Sequence, residues 1–294
     1  MVFQISKLFF LANIFTALFL TTASAQDSST ASKRLTEQSF LLLWPGQDSA
    51  DAKLDLNDPI VTDRPDFTEA SSTVGKGVTQ IELGYTATYD KSESSRAIEH
   101  TYPEALLRHG ILRDWLELRI AGSFSTIDST GFSPTGFNDI YLGSKIGLIP
   151  QMGILPEISL VPQLTIPSGS AALSSDRTLL GMNSLYAWDL SDSTYLGGST
   201  QFNQSLEEDS DQIYGEWAQS LTIGTSLAQD WGCYAEWFAF FPYHSTSAEN
   251  EHFVNGGVTY LISNDIQWDF RLGTRVDRYA EQSFMGMGIS VRFL

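Results

Sequence analysis

Cysteine is almost absent from this 294-residue sequence, in which Cys233 is the single example. A lone cysteine forms no internal disulfide bridge, so the fold does not depend on a disulfide framework. We interpret Cys233 as a small apolar side chain within a strand rather than as a reactive thiol.

Positive charge is also scarce. The chain carries 17 Lys and Arg residues against 35 Asp and Glu residues, which gives a net charge of −18. Binding to nucleic acid depends on Lys and Arg that neutralise phosphates, so nucleic acid is not an expected partner. Charged residues make up only 18% of the chain, while 12% is aromatic. This balance is typical of a β protein that faces lipid on one side and water on the other.

Long apolar runs are missing after the first 25 residues. The best later candidate for a membrane helix is the short apolar stretch at 40–44. A membrane helix needs about 20 apolar residues, so no later helix is expected to span a membrane. The start combines Lys7, an apolar stretch at 8–20 and small residues at 23–25, which is the layout of a cleavable signal peptide. We therefore expect residues 1–25 to be a signal peptide rather than an anchor helix.

From Gly77 onward, apolar and polar residues alternate with the period of two that indicates β-strands. In the first such stretch Leu83 lies on the apolar face and Glu82 on the polar face. The stretches have about the length of outer-membrane strands. Six are clear, at 78–89, 116–124, 138–148, 156–166, 265–276 and 283–293, and six are weaker, at 102–109, 184–190, 194–203, 214–227, 232–241 and 253–262.

Four residues fit this pattern poorly. Pro103, Pro156 and Pro162 each remove a backbone donor, which normally places a strand at an edge or a bulge. Gln219 lies on the face that we assign to lipid. We keep these strands because the alternation around them is regular.

The connections alternate in length. Long ones are expected at 90–97, 125–136, 167–181, 204–212 and 243–251, and short ones at 110–114, 150–153, 191–193, 228–230 and 263–265. A sixth, at 277–282, fits the long set less well. Transmembrane barrels have short periplasmic turns and longer outer loops. We predict an all-β, closed antiparallel transmembrane β-barrel of about twelve strands at 77–294, in the outer membrane, with a flexible N-terminal periplasmic leader at 26–76.

Two stretches resemble one known family. Residues 62–71 read TDRPDFTEAS and residues 80–85 read QIELGY. They are similar to the family called "putative meta-pathway of phenol degradation", and weaker matching pieces lie at 103–108, 166–169, 236–241 and 255–260. The resemblance implies an outer-membrane barrel and uptake of aromatic or other apolar molecules. Phe293 followed by Leu294 departs from the usual aromatic ending, which the barrel-assembly machinery reads.

No motif for chemistry is present. The sequence lacks a nucleophile elbow, a phosphate loop and metal-ligand spacing, so we expect no cofactor and no enzymatic activity. A weak metal site at His244 and His252, beside Glu249 and Glu251, is an alternative to an ordinary loop.

Two other functions stay as alternatives. A remote one is a phospholipase-type barrel that uses a serine and a histidine near the outer rim, for which Ser125 and His100 are the candidates. The other is a structural or adhesive barrel without transport.

The predicted lumen carries many ionisable side chains. Isolated charges in a partly dry interior are costly, so these residues are expected to pair. The pairs would fill and stiffen a barrel too narrow for a wide pore, or would form a polar path for solute. They are Glu82, Glu104, Arg108, Glu117, Arg119, Asp139, Lys145, Glu157, Asp189, Glu216, Glu236, Asp269, Arg271, Arg275 and Arg292.

The stretch just before the first strand is expected to lie at the periplasmic mouth. It contains four charges and one aromatic ring within seven residues, in Asp63, Arg64, Pro65, Asp66, Phe67 and Glu69. We predict that it folds inward and narrows the mouth, with Arg64 paired bidentately to Glu82, Glu104 or Glu117. The alternative is that it only caps the barrel base.

The outer loops are acidic, with Glu93, Asp128, Glu207, Glu208, Asp209, Asp211, Glu249 and Glu251. A mouth of one sign repels solutes of like charge. The sequence therefore predicts a narrow or gated channel or transporter for small solutes, in which neutral and cationic solutes pass better than anions. Its expected partners are outer-membrane lipid, lipopolysaccharide and the barrel-assembly machinery.

Overall fold

The computed structural model describes residues 58–91, 96–129, 133–207, 212–277 and 281–293, together with residues 131 and 210. The predicted signal peptide at 1–25 and the part of the leader at 26–57 lie outside these residues. Within them, no helix is long and apolar enough to cross a membrane.

One antiparallel sheet closes on itself, because β1 pairs with both β14 and β2. The described strands are β1 (Thr79–Lys91), β2 (Arg96–Gly110), β3 (Leu116–Gly122), β4 (Phe124–Ser129), β5 (Thr135–Phe137), β6 (Ile140–Ile149), β7 (Glu157–Ile166), β8 (Leu179–Ser191), β9 (Thr194–Leu206), β10 (Ile213–Ala228), β11 (Trp231–Tyr243), β12 (Glu251–Ser263), β13 (Ile266–Arg275) and β14 (Glu281–Phe293).

Two of the spanning strands are each divided into two pieces. β3 and β4 both pair with β2 and are separated by Ser123. β5 pairs with β4 and β6 pairs with β3, so these two pieces continue one another in the same way. The barrel therefore has twelve spanning strands, and the predicted fold is confirmed.

The two ends of the barrel differ. Thr79 pairs with Phe293 at the end that carries the two-residue turns 192–193, 229–230 and 264–265, which we call the short-turn end. The opposite, long-loop end carries the connection 167–178. The alternation of lengths is weaker than predicted, because β1, β2 and β4 extend into the expected loops 90–97 and 125–136.

Apolar side chains cover the outside and polar ones fill the inside. Ile120 and Ile289 are 48% and 38% exposed on the outer surface, whereas Arg108 and Glu82 are fully buried in the lumen. This arrangement is that of a transmembrane barrel with a lipid-facing apolar band.

The irregular residues are accommodated locally. Gln219 donates to the hydroxyl of Tyr186 at 2.6 Å and accepts from that of Thr200 at 2.9 Å, so its amide is satisfied on the outer face. Pro103 lies where the β1–β2 register shifts, between Gly84 and Thr86. A bulge there removes the need for the missing donor.

Candidate functional site

The residues before β1 lie inside the barrel. We call residues 58–78 the lumen segment. It begins at the short-turn end, where Ile60 N donates to Asn264 O at 2.7 Å. It turns deep in the lumen, where Arg271 Nη1 donates to Pro65 O at 2.9 Å. It then returns to the short-turn end, where Lys76 N donates to Asp114 Oδ1 at 2.9 Å.

Asp63 forms the charged centre of the lumen segment. Its carboxylate lies 2.8 Å from Lys145 Nζ and 3.4 Å from Arg108 Nη1, and it also pairs with Arg119. Burial by itself would raise the pKa of Asp63, but the three cations outweigh it and hold this pKa well below its usual range. Asp63 is therefore ionised at neutral pH and balances positive charge that belongs to three different strands.

Three glutamates complete this network. Glu82 accepts from the backbone N–H groups of Asp63 and Arg64, both at 3.0 Å. Glu117 accepts from Val74 N at 3.0 Å, and Glu69 accepts from Arg119 at 2.7 Å. The part of the segment that enters the lumen and the part that returns to the short-turn end are thus both bonded to wall residues.

Arg64 is held by two strands far apart in sequence. Its Nε and Nη2 atoms each lie 3.3 Å from the carboxylate oxygens of Asp269, and its Nη1 atom lies 3.0 Å from Glu104 Oε2. The guanidinium occupies a notch formed by Gly84 and Gly288, since a Cβ atom at either position would overlap it. The bidentate partner is therefore Asp269, and not Glu82, Glu104 or Glu117 as predicted. Those glutamates are engaged elsewhere or bind only one nitrogen.

The inner turn of the segment is bonded to Glu236 of β11. The carboxylate accepts from the backbone N–H groups of Phe67 and Thr68 at 2.8 and 2.7 Å. It also accepts from Thr68 Oγ1 and Asn255 Nδ2, both at 2.6 Å. Desolvation deep in the lumen, together with the nearby charge of Glu236, raises the pKa of Asp66.

Phenylalanine rings form a cluster at this turn. Phe67 stacks on Phe238 with ring centroids 4.6 Å apart and 10° between the planes, and Phe238 stacks on Phe253 at 4.8 Å and 8°. Phe240 places its ring against Phe67 at 5.5 Å and 87°. The sequence reading missed the wall rings, although Phe238 and Phe240 alternate in phase with the lumen residue Glu236.

Two cavities flank the lumen segment. One, of about 530 Å³, lies towards the short-turn end and is lined by Asp66, Tyr195 and Tyr234, among others. The other, of about 300 Å³, lies beside β2, β3 and β6 and is lined by Glu104 and Tyr141, among others. Arg64 lines both cavities.

Comparison with known proteins agrees with this barrel. The model of the family described as "Putative MetA-pathway of phenol degradation" matches residues 62–293. The chain belongs to this family. No curated protein gives a significant match.

Solved structures show the same fold. The crystal structure of an outer membrane channel from Pseudomonas putida F1 is 13% identical, with 78% of this chain and 99% of that chain covered and a TM-score of 0.64. The transport unit of the autotransporter AIDA-I from Escherichia coli is 8% identical, with coverages of 77% and 94% and a TM-score of 0.51. The translocator domain of the autotransporter NalP from Neisseria meningitidis is 11% identical, with coverages of 74% and 89% and a TM-score of 0.50.

In this family member, most of the predicted lumen residues contact the segment. Glu157 accepts from Ser71 Oγ at 2.6 Å, and Arg292 donates to Asp58 O at 2.9 Å. Four predicted residues lie elsewhere. Asp189 bonds Gln151 through its backbone, and Glu216 lies near Glu251. Asp139 bonds the loop residue Ser175, and Arg275 pairs with Glu251 at the long-loop end.

The catalytic alternative is not supported by the placement of its two residues. Ser125 is buried and bonds Thr101 and Asn138 at 3.1 and 2.8 Å, whereas His100 Nδ1 lies 2.8 Å from the hydroxyl of Tyr85. Ser125 faces Thr101 across the β2–β4 pair, and His100 is the next residue along β2. Adjacent strand residues point to opposite faces, so the two side chains do not meet.

The predicted metal alternative also lacks a site. Among the described residues, no group of three His, Cys, Asp or Glu side chains is arranged to hold a metal ion. His252 instead packs against Trp237, with ring centroids 5.9 Å apart.

Proposed function

We propose that this protein is a narrow outer-membrane channel for small neutral or cationic solutes, and that the lumen segment gates it. The observation that carries the proposal is the position of the segment inside the closed barrel, between two cavities that Arg64 lines in common. A solute that crosses the barrel has to pass the segment, so movement of the segment would control passage.

The larger cavity supports the choice of solute. Its volume of about 530 Å³ lies within the range of small-molecule sites. Tyrosine rings from Tyr195 and Tyr234 line it together with the carboxyl groups of Asp66 and Glu157. Such a lining suits single-ring aromatic solutes, in line with the family resemblance, and favours neutral or positively charged groups over anions.

Charge at the long-loop end has the same sign. Asp128, Glu207, Glu249 and Glu251 lie at or near this end. The predicted loop acids Glu93, Glu208, Asp209 and Asp211 lie outside the described residues. An acidic entrance concentrates cations and repels anions.

A structural barrel without transport is the second candidate, and the Asp63 network favours it. Three cations paired with one buried carboxylate bind the segment strongly to the wall. A permanently fixed segment would stiffen the barrel and close it.

Tethering the segment distinguishes these two functions. Thr68 Oγ1 and Ser220 Oγ lie 2.6 Å apart, so the T68C/S220C pair in a C233A background would join the segment to β10. The matched control is S199C/S220C, which joins two wall strands whose hydroxyls lie 2.8 Å apart.

We expect oxidation of T68C/S220C to lower single-channel conductance, reduction to restore it, and the control pair to show no redox dependence. Reversal potentials of the untethered protein should show a preference for cations. A refolded protein that conducts nothing in either redox state would support the structural barrel, and a clear anion preference would contradict the proposed selectivity.

A further inference from the structure

The Phe cluster is an apolar site within a lumen otherwise dominated by charged and polar side chains. Phe238 and Phe253 are 7% and 5% exposed, and they stack in parallel on adjacent strands. Phe240 stands nearly perpendicular to both rings, at 83° and 80°. These three rings come from β11 and β12, so the wall holds them independently of the lumen segment.

The fourth ring differs in origin. Phe67 belongs to the lumen segment and forms one end of the stack. Its ring is parallel to that of Phe238 and edge-on to that of Phe240. Parallel stacking and edge contact are the two arrangements that aromatic pairs prefer. Without Phe67, the wall would present a slot shaped for one planar ring.

Hydrogen-bonding groups beside the slot are also occupied by the segment. Glu236 accepts from the backbone of Phe67 and from the backbone and hydroxyl of Thr68. If this turn moves away, the carboxylate loses three donors and keeps only Asn255 among these partners. A buried carboxylate without donors is costly, so an ammonium or hydroxyl group of a solute would be favoured there.

We propose that Phe238, Phe240 and Glu236 form a binding site for a single-ring aromatic solute that carries a hydrogen-bond donor next to its ring. Phe67 and Thr68 fill this site when no solute is bound. Solute and segment therefore compete for the same surface, and binding displaces the inner turn. This inference rests on the proposed function, because the solute reaches the slot only through the lumen, but binding is measurable without transport.

Two probes separate the ring from the charge. Benzylammonium and cyclohexylmethylammonium have the same charge and nearly the same size, but only the first is planar and aromatic. Ligand-observed NMR on the protein refolded in detergent gives the affinity for each. We expect benzylammonium to bind roughly 2- to 10-fold more tightly, the range that aromatic pair geometry provides.

Three variants assign the preference to the slot. Phe238→Leu keeps an apolar side chain but should abolish the aromatic preference, and Phe67→Leu should tighten benzylammonium binding by removing the competing ring. Phe202→Leu is the matched control, because Phe202 is 62% exposed on the outer surface. Heat-modifiable electrophoretic mobility confirms that each variant is folded, and Phe240→Leu replaces Phe238→Leu if the latter fails this check.

The outcomes are distinct. Equal affinities for the two probes in the original protein, or an unchanged ratio in the folded Phe238→Leu or replacement Phe240→Leu variant, would overturn the aromatic site. Weaker benzylammonium binding in Phe67→Leu would overturn the competition. A protein that binds with the expected preference but never conducts would leave the site in place and refute the channel.

Discussion

Arg64 and Asp269 lie 205 positions apart in sequence and form a bidentate ion pair in the lumen, with Nε–Oδ2 and Nη2–Oδ1 both at 3.3 Å. Asp269 is fully buried, and the Arg64 side chain is 12% exposed. The pair joins the lumen segment to β13, near the seam where β1 meets β14. The position of the segment is therefore coupled to the region where the barrel closes.

Loss of this pair should loosen the segment. Arg64→Ala leaves Asp269 without its bidentate partner, and breaking a buried ion pair from one side costs roughly 3–5 kcal/mol. We expect higher single-channel conductance with the barrel still folded. Arg113→Ala is the matched control, since Arg113 lies exposed in the turn between β2 and β3. Equal conductance in both variants would mean that Arg64 does not hold the gate.

Glycine at the seam should be needed for the same reason. Gly84 and Gly288 are paired residues of β1 and β14, and a Cβ atom at either would overlap the Arg64 guanidinium. Gly84→Ala should weaken the binding of the lumen segment to the barrel wall by about 1–3 kcal/mol, the usual range for overpacking. It should therefore raise conductance.

A double-mutant cycle identifies the cause. In an Arg64→Ala background the added methyl group has nothing to displace, so Gly84→Ala should then have little further effect. Gly122→Ala serves as the control, because nothing lies within 4 Å of the added atom. Additive effects of Gly84→Ala and Arg64→Ala would show that the notch does not act through Arg64.

The gate should loosen as the pH rises. Asp66 has a raised pKa because of desolvation and the nearby Glu236 charge, and Tyr195 and Tyr234 also lie close to it. A carboxyl group with a raised pKa in the folded state loses stability as pH rises from its ordinary pKa through the raised one. Asp63 behaves oppositely: its stabilisation is present above its ordinary pKa and is lost only in strong acid.

Conductance should therefore increase as the pH rises from the ordinary pKa of an aspartate through the raised pKa of Asp66, because Asp66 then ionises beside Glu236. The measurement is single-channel conductance across this range at constant salt. Asp66→Asn should flatten the profile. A profile in Asp66→Asn that still rises as steeply as in the original protein would assign the pH dependence to other groups.

The outer face should reject charge. Ile289 lies on the lipid-facing surface of β14, and an arginine at a mid-membrane position costs roughly 2–4 kcal/mol. Ile289→Arg should lower the free energy of unfolding from vesicles, measured by denaturant titration. Ile154→Arg is the matched control, because Ile154 is 90% exposed in the turn between β6 and β7. Equal stabilities would mean that the register of β14 is wrong.

The sequence by itself determined the barrel, the lipid-facing side of its clearest strands and the presence of a charged lumen. The alternation is a local property of each strand, because every second side chain lies on the same face. Leu83 and Glu82 can therefore be assigned to opposite faces without knowledge of any other strand. The sequence also indicated that the stretch around Arg64 is not a simple linker, because it carries four charged residues and one aromatic residue within seven positions.

Only the tertiary structure decided which groups meet. Arg64 pairs with Asp269 because barrel closure pairs β1 with β14, which in turn pairs with β13, and no local pattern contains this long-range pairing. In the same way, Phe67 meets Phe238 only because the segment turns at a particular depth in the lumen. That depth is set by the ion pairs of Asp63 with Arg108, Arg119 and Lys145, which come from three separate strands.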